Sequence, residues 1–162
     1  MKYKDTNLKI TRRKGRRKAS EAAVAKLEKQ LGVTLPQDYR EFLLTQNGGM
    51  PDPFYVEIPD HPYIENVGVG YICGLYAKSD PEGLLHAIEQ TRTMLPEGQL
   101  PIAGDSDIFS ISLTEKRGCI YFWDHEAPEC EDEEAFNMTH ATLMAGSFNE
   151  FLTLVSQFVD SD

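Results

Sequence analysis

Apolar positions along the chain switch between a helical and a strand-like rhythm, and the switches divide it into elements. Val24, Leu27 and Leu31 recur at helical spacing behind Ser20, whose hydroxyl suits an N-cap, and Gly32 ends the run. Thr34 and Gln37 have capping-box spacing with Pro36 in the first turn, so a second helix is predicted with Tyr39, Phe42 and Leu43 as its buried stripe. Asn47-Gly48-Gly49 closes it, because both residue types accept the left-handed backbone of a helix end. Two short helices joined this way pack as a hairpin.

A strand-like zone follows. Phe54 to Ile58 and Val67 to Tyr76 are rich in β-branched and aromatic residues, the latter interrupted by glycines that suggest bends or bulges. Asp80-Pro81-Glu82 reads as an N-cap, a proline at the first helical position and an acid suited to the helix dipole. Leu84, Leu85 and Ile88 form the apolar face of that helix, extended toward Met94-Leu95. Leu100–Ala103, Ile108–Leu113 and Cys119–Trp123 are three further strands joined by short turns, which favours an antiparallel meander. Ser147-Phe148-Asn149-Glu150 is a capping box opening a last helix, with Phe148, Phe151, Leu152, Val155, Phe158 and Val159 on its apolar face. The predicted fold class is α+β: a central, mostly antiparallel sheet flanked by helices, with an N-terminal helical hairpin and a C-terminal helix.

Composition adds domain count and compartment. At 162 residues, 41% hydrophobic and 26% charged, the chain suits one globular domain. Cys73, Cys119 and Cys130 are an odd set at irregular spacing, which suggests free thiols in a reducing cytoplasm. No stretch reaches the roughly 20 apolar residues of a membrane span, and no apolar run follows the basic start as in a secretory signal. Charge changes the picture more. Residues 1–18 hold nine Lys/Arg and one acid, a net +8, whereas residues 19–162 hold seven Lys/Arg against 25 acids, a net −18. The expectation is a basic, disordered arm over 1–18 and an acidic folded domain over 19–162. Such a body repels nucleic acid and membranes and attracts basic partners.

The order of motifs resembles a known family. Leu35-Pro36-Gln37-Asp38-Tyr39-Arg40-Glu41-Phe42-Leu43 followed by Asn47-Gly48-Gly49 is similar to the LP-x-x-Y-x-x-F-L … NGG signature of the SUKH superfamily, of Smi/Knr type. Leu100 to Asp105, Cys119 to Glu126 and Ser147 to Leu152 follow in that family's order, so the resemblance covers residues 20–159. It implies the same α+β fold. It also implies a protein-binding role: many bacterial members are immunity proteins that neutralise secreted toxins, often nucleases or deaminases, and others are scaffolds or regulators.

An inhibitor of that kind needs a complementary surface rather than a catalytic group, with acids steering a basic toxin domain and aromatic anchors supplying affinity. Tyr71, Tyr121 and Trp123 are candidate anchors, and Asp105, Asp107, Asp124, His125 and Glu126 candidate polar contacts. The acidic run Glu131 to Glu134 is a solvated loop or a lure for a basic cleft. Other chemistries are weaker. Asp105-Ser106-Asp107 is a turn sequence as readily as a magnesium site, and Asp105, Asp107 and His125 would have to converge to serve a hydrolase or transferase. Cys119, His125, Cys130 and His140 match no standard zinc spacing, so no cofactor or metal is expected. Nucleic acid is left to the arm, Arg12 to Lys18, which lacks interleaved aromatic residues and has folding back on the acidic body as its alternative.

Overall fold

A computed structural model describes residues 6–104, 107–124 and 138–158. In chain order its elements are β1 (Lys9–Thr11), α1 (Glu21–Leu31), α2 (Gln37–Thr45), β2 (Met50–Asp52), β3 (Tyr55–Glu57), β4 (Asn66–Gly68) and β5 (Tyr71–Ile72). There follow α3 (Leu84–Thr91), β6 (Gln99–Gly104), β7 (Ile108–Ser112), β8 (Ile120–Trp123), β9 (Ala141–Ala145) and α4 (Phe148–Ser156). The fold is α+β. A five-stranded antiparallel sheet runs β5-β6-β7-β8-β9, and two small antiparallel pairs, β1-β2 and β3-β4, accompany it.

The helices form where local chemistry directs them. Ser20 caps α1 by accepting a hydrogen bond from the Ala23 amide at 3.1 Å, and Gly32 closes it at φ 72°. Ser147 caps α4 through the Glu150 amide at 3.1 Å, and the Glu150 carboxylate returns to accept from the Gly146 amide at 3.2 Å. Helix α2 differs from expectation. Pro36, not Thr34, stands at its N-cap, and the Thr34 hydroxyl instead accepts from Arg117 at 3.2 Å. Arg40 joins the hairpin by pairing with Glu21 at 2.8 Å and Glu28 at 3.2 Å on α1.

The core is aromatic. Tyr39, Phe42 and Phe148 form a triangle that locks α2 to α4, with Phe148 4.9 Å from each of the other two ring centroids. Phe109 lies 5.2 Å from Phe151 and 5.4 Å from Phe122, which joins α4 to the sheet. Burial of such rings, worth about 1.5–3 kcal/mol per large side chain, is the main source of stability. The sheet's second face is covered too. Tyr121 and Trp123, alternating with Ile120 and Phe122, pack beneath Met94, Leu95 and Ile108. Coverage of both faces explains why β6 to β8 are buried along almost their whole length, Ser110 and Ser112 included.

Three further elements differ from the sequence expectation. Asp80-Pro81-Glu82 precedes α3 as a turn, in which Asp80 Oδ1 accepts the Glu82 amide at 3.0 Å, and Gly83 takes the N-cap. Strand β9, at the sheet's edge, carries little periodicity and was not expected. The third is the basic segment. Leu8 is buried in the main core, and β1 pairs with β2 in the register Lys9–Asp52, Ile10–Pro51 and Thr11–Met50. Arg16 inserts between Asp80, which accepts from Nη2 at 2.7 Å and Nε at 3.0 Å, and Glu82, which accepts from Nη1 at 3.0 Å. Its guanidinium also lies 4.6 Å from the centre of the Tyr76 ring. Over residues 8–17 the segment is therefore laid on the acidic body rather than free, because that body supplies the carboxylates the like-charge block lacks.

Candidate functional site

The NGG turn is the hub that holds the N-terminal segment. Asn47 is 1% exposed and left-handed at φ 58°. Its side-chain amide donates to the Arg17 carbonyl at 2.7 Å, its side-chain oxygen accepts from the Leu75 amide at 2.7 Å, and its carbonyl accepts from the Tyr76 hydroxyl at 2.5 Å. Gly48, at φ +84°, leaves no room for a side chain: a Cβ would fall 2.6 Å from the Tyr76 hydroxyl and 2.7 Å from the Ile72 carbonyl. Leu35, Pro36, Tyr39, Phe42, Leu43 and Gly49 are all buried. Every named residue of the signature is thus interior.

Of the predicted contact residues, Tyr71, Asp107, Trp123 and Asp124 lie at one end of the sheet. Register places Tyr71 beside Gly104, Gly104 beside Ile108, Ile108 beside Trp123 and Trp123 beside Ala141, one row across five strands. Asp107 and Asp124 leave the sheet from that row. Asp105, His125 and Glu126 lie outside the described residues, as does the acidic run 131–134. Availability divides these candidates and Tyr121, two residues back along β8. Trp123 is fully buried, and its indole N–H donates to the Ser110 hydroxyl at 2.7 Å. Tyr121 is 5% exposed, and burial holds its hydroxyl above the ordinary tyrosine range. Both are packing residues of the second sheet face, where a docking anchor has to be exposed. Tyr71 is half-buried against the main core. Asp107 is partly exposed, and its carbonyl crowds Gly104.

Asp124 leads to a site that motif reading missed. Its carboxylate meets His61 Nε2 at 3.2 Å, with both side chains nearly buried. His61 Nδ1 accepts the amides of Tyr63 at 3.1 Å and Ile64 at 3.0 Å, so the ring proton sits on Nε2 and points at Asp124. The imidazole thereby fixes the β3–β4 loop to the end of β8. It also lines a cleft of about 550 Å³ between that loop and α4. The apolar wall is Ile58, Ile64, Met144, Leu154 and Phe158, and the acidic rim is Glu57, Asp60 and Glu65. Beside it the Tyr55 ring stacks on Phe158 at 5.4 Å and on Phe54 at 4.4 Å. Phe54, Tyr55 and Tyr63 are exposed, an aromatic margin to an acidic opening.

The signal for this cleft lay in residues that are missing rather than present. Residues 41–77 contain five acids and no Lys or Arg, and residues 118–162 contain ten acids and no Lys or Arg. The cleft is built wholly from these two stretches. Elsewhere Glu21 and Glu28 are compensated by Arg40, and Asp80 and Glu82 by Arg16. Among the described residues, no three His, Cys, Asp or Glu side chains come together as metal ligands, and no helix is long and apolar enough to cross a membrane.

An α+β domain of this topology, with a buried LP…NGG hairpin and an open acidic cleft, is of the SUKH class. A model of the SMI1 / KNR4 family (SUKH-1) matches residues 18–154, and the chain belongs to that family. It is also similar to an SPbeta prophage-derived uncharacterized protein, YokK, of Bacillus subtilis (strain 168). The two are 28% identical over 150 residues, which span 84% of this chain and 74% of that protein.

Proposed function

We propose that the protein is a cytoplasmic protein-binding inhibitor, an immunity protein that neutralises a secreted bacterial toxin with a basic active-site region by occluding it. The observation that carries this reading is the cation-free acidic cleft with an apolar wall, on a chain of a family that includes immunity proteins. Acidic rims steer a basic partner into encounter, and apolar and aromatic surface then slows its departure. Similarity to a prophage-derived protein is consistent with a locus devoted to competition or defence.

A non-catalytic role is part of the proposal. The His61–Asp124 pair has the outline of an acid–base dyad, but both ring nitrogens are committed, Nδ1 to two backbone amides and Nε2 to the carboxylate. A general base needs a lone pair facing substrate, and using Nδ1 would unmake the loop turn.

The test is co-expression with the toxin-like reading frame adjacent to this gene. Protection of growth, together with a one-to-one complex whose association slows as salt rises, is expected. A toxin that kills cells undiminished and forms no complex refutes the inhibitor reading. A stable complex with a partner that harms no cell replaces it with a regulatory scaffold of the same fold.

A further inference from the structure

Resting on the protein-binding reading, we infer that the cleft beside His61 is an arginine-accepting pocket, and that the docking partner inserts an arginine side chain there. The molecule shows how its own chemistry holds that group. Arg16 is gripped by two carboxylates, Asp80 and Glu82, with the Tyr76 ring 4.6 Å from the guanidinium. The cleft repeats these parts without the arginine. The carboxylates of Glu57, Asp60 and Glu65 stand at its rim, none with a side-chain hydrogen bond or ion pair among the described residues, and Phe158, backed by Tyr55 at 5.4 Å, supplies the aromatic wall.

Three features select arginine. Neither stretch that forms the cleft contains a cation, so the charge needed to balance the rim comes from outside. Ile58, Ile64 and Leu154 accept the aliphatic stem of a long side chain whose head reaches the rim. An aromatic wall favours a planar, weakly hydrated guanidinium over a compact ammonium, and carboxylates take its donors as a fork. A nucleic acid or an anionic membrane is repelled by the same rim.

Titration of isotope-labelled protein with capped tri-arginine, tri-lysine and tri-glutamate peptides at low ionic strength, followed by NMR, tests this. Tri-arginine should shift resonances confined to residues 57–66 and 154–158, tri-lysine should bind more weakly, and tri-glutamate should not bind. Glu57→Gln with Glu65→Gln should weaken tri-arginine by about tenfold, as removal of two facing charges does, while the melting temperature stays unchanged. Phe158→Ala should erase the preference for arginine over lysine. Shifts spread over the acidic surface, equal response to arginine and lysine, or indifference to the double substitution overturns the pocket. Shifts that grow with protein concentration alone would make the basic segment of a second copy the occupant, which also overturns the assignment to a different protein. A toxin neutralised equally well by the double variant sinks this pocket and leaves the inhibitor reading standing.

Discussion

Asn47 and Gly48 show how much a single position decides here. Asn47 meets one carbonyl and one amide from segments about 30 residues away on either side, while its own backbone is left-handed. Gly48 beside it is confined by backbone on two sides. Gly48→Val combines a forbidden φ with a backbone clash, and we expect a loss of at least about 2 kcal/mol by urea denaturation. Cys73 sets a pH dependence. Burial, reinforced by Glu82, pushes its thiol up to about 12 from an ordinary value of 9.0. The folded state therefore keeps a proton that the unfolded state releases, so stability is full below pH 9 and falls as pH rises toward 12. Tyr39, raised by its own burial, acts in the same direction. Between pH 8 and 10.5 the wild type should lose about 2 kcal/mol more than Cys73→Ala, read from urea midpoints at each pH. Equal losses would mean the thiol ionises in place.

At the scale of elements, the N-terminal segment is the weakest-founded piece and the most dependent on partners. Strand β1 has three residues, which cannot hold themselves in place. It is retained by Leu8 in the core, by Gln46 Nε2 donating to the Ile10 carbonyl at 3.0 Å, by Asn47 on Arg17 and by the Arg16 grip. Arg16→Ala removes a partly buried, bidentate guanidinium, takes from Asp80 its cationic partner and leaves Glu82 only the more exposed Arg13 at 2.8 Å. Hydrogen exchange should then quicken at least about tenfold at the amides of residues 9–19, while α2 and β6 to β8 keep their protection. Uniform quickening would show that the segment and the body open together. Just before α3, Asp80 serves two partners, the Glu82 amide of its own turn at 3.0 Å and Arg16, and the helix begins at Leu84, beyond the proline signal.

Across the whole molecule, charge is sorted rather than mixed. Residues 1–18 carry net +8 and residues 19–162 net −18, and where residues 8–17 lie on the body the grip of Arg16 on Asp80 and Glu82 relieves part of its self-repulsion. Deleting residues 1–18 should lower the melting temperature and make it rise more steeply with added salt than in the full chain, because screening then has more repulsion to relieve. A truncated protein with an unchanged melting temperature and salt response would mean the segment adds nothing to the fold. The same sorting leaves the cleft face negative and uncompensated, which is the basis of its proposed role.

Local chemistry alone determined the helix caps at Ser20, Gly32 and Ser147, the stripe Tyr39-Phe42-Leu43, the meander β6 to β8 and the family's motif order. These follow from interactions within a few residues or from periodicity, both written directly in the chain. Tertiary structure decided the rest. Trp123 and Tyr121 are as apt for a surface as for a core, and their burial comes from Met94 and Leu95 with Ile108, Cys119 and Ala141 on the sheet's second face. The like-charge block at Arg12 to Lys18 has no local reason to order, and it acquires one only from carboxylates more than sixty residues away. The cleft needed His61, Glu57 and Phe158 to be brought together by packing of α4 on β3, a contact between positions about a hundred residues apart that no short pattern encodes.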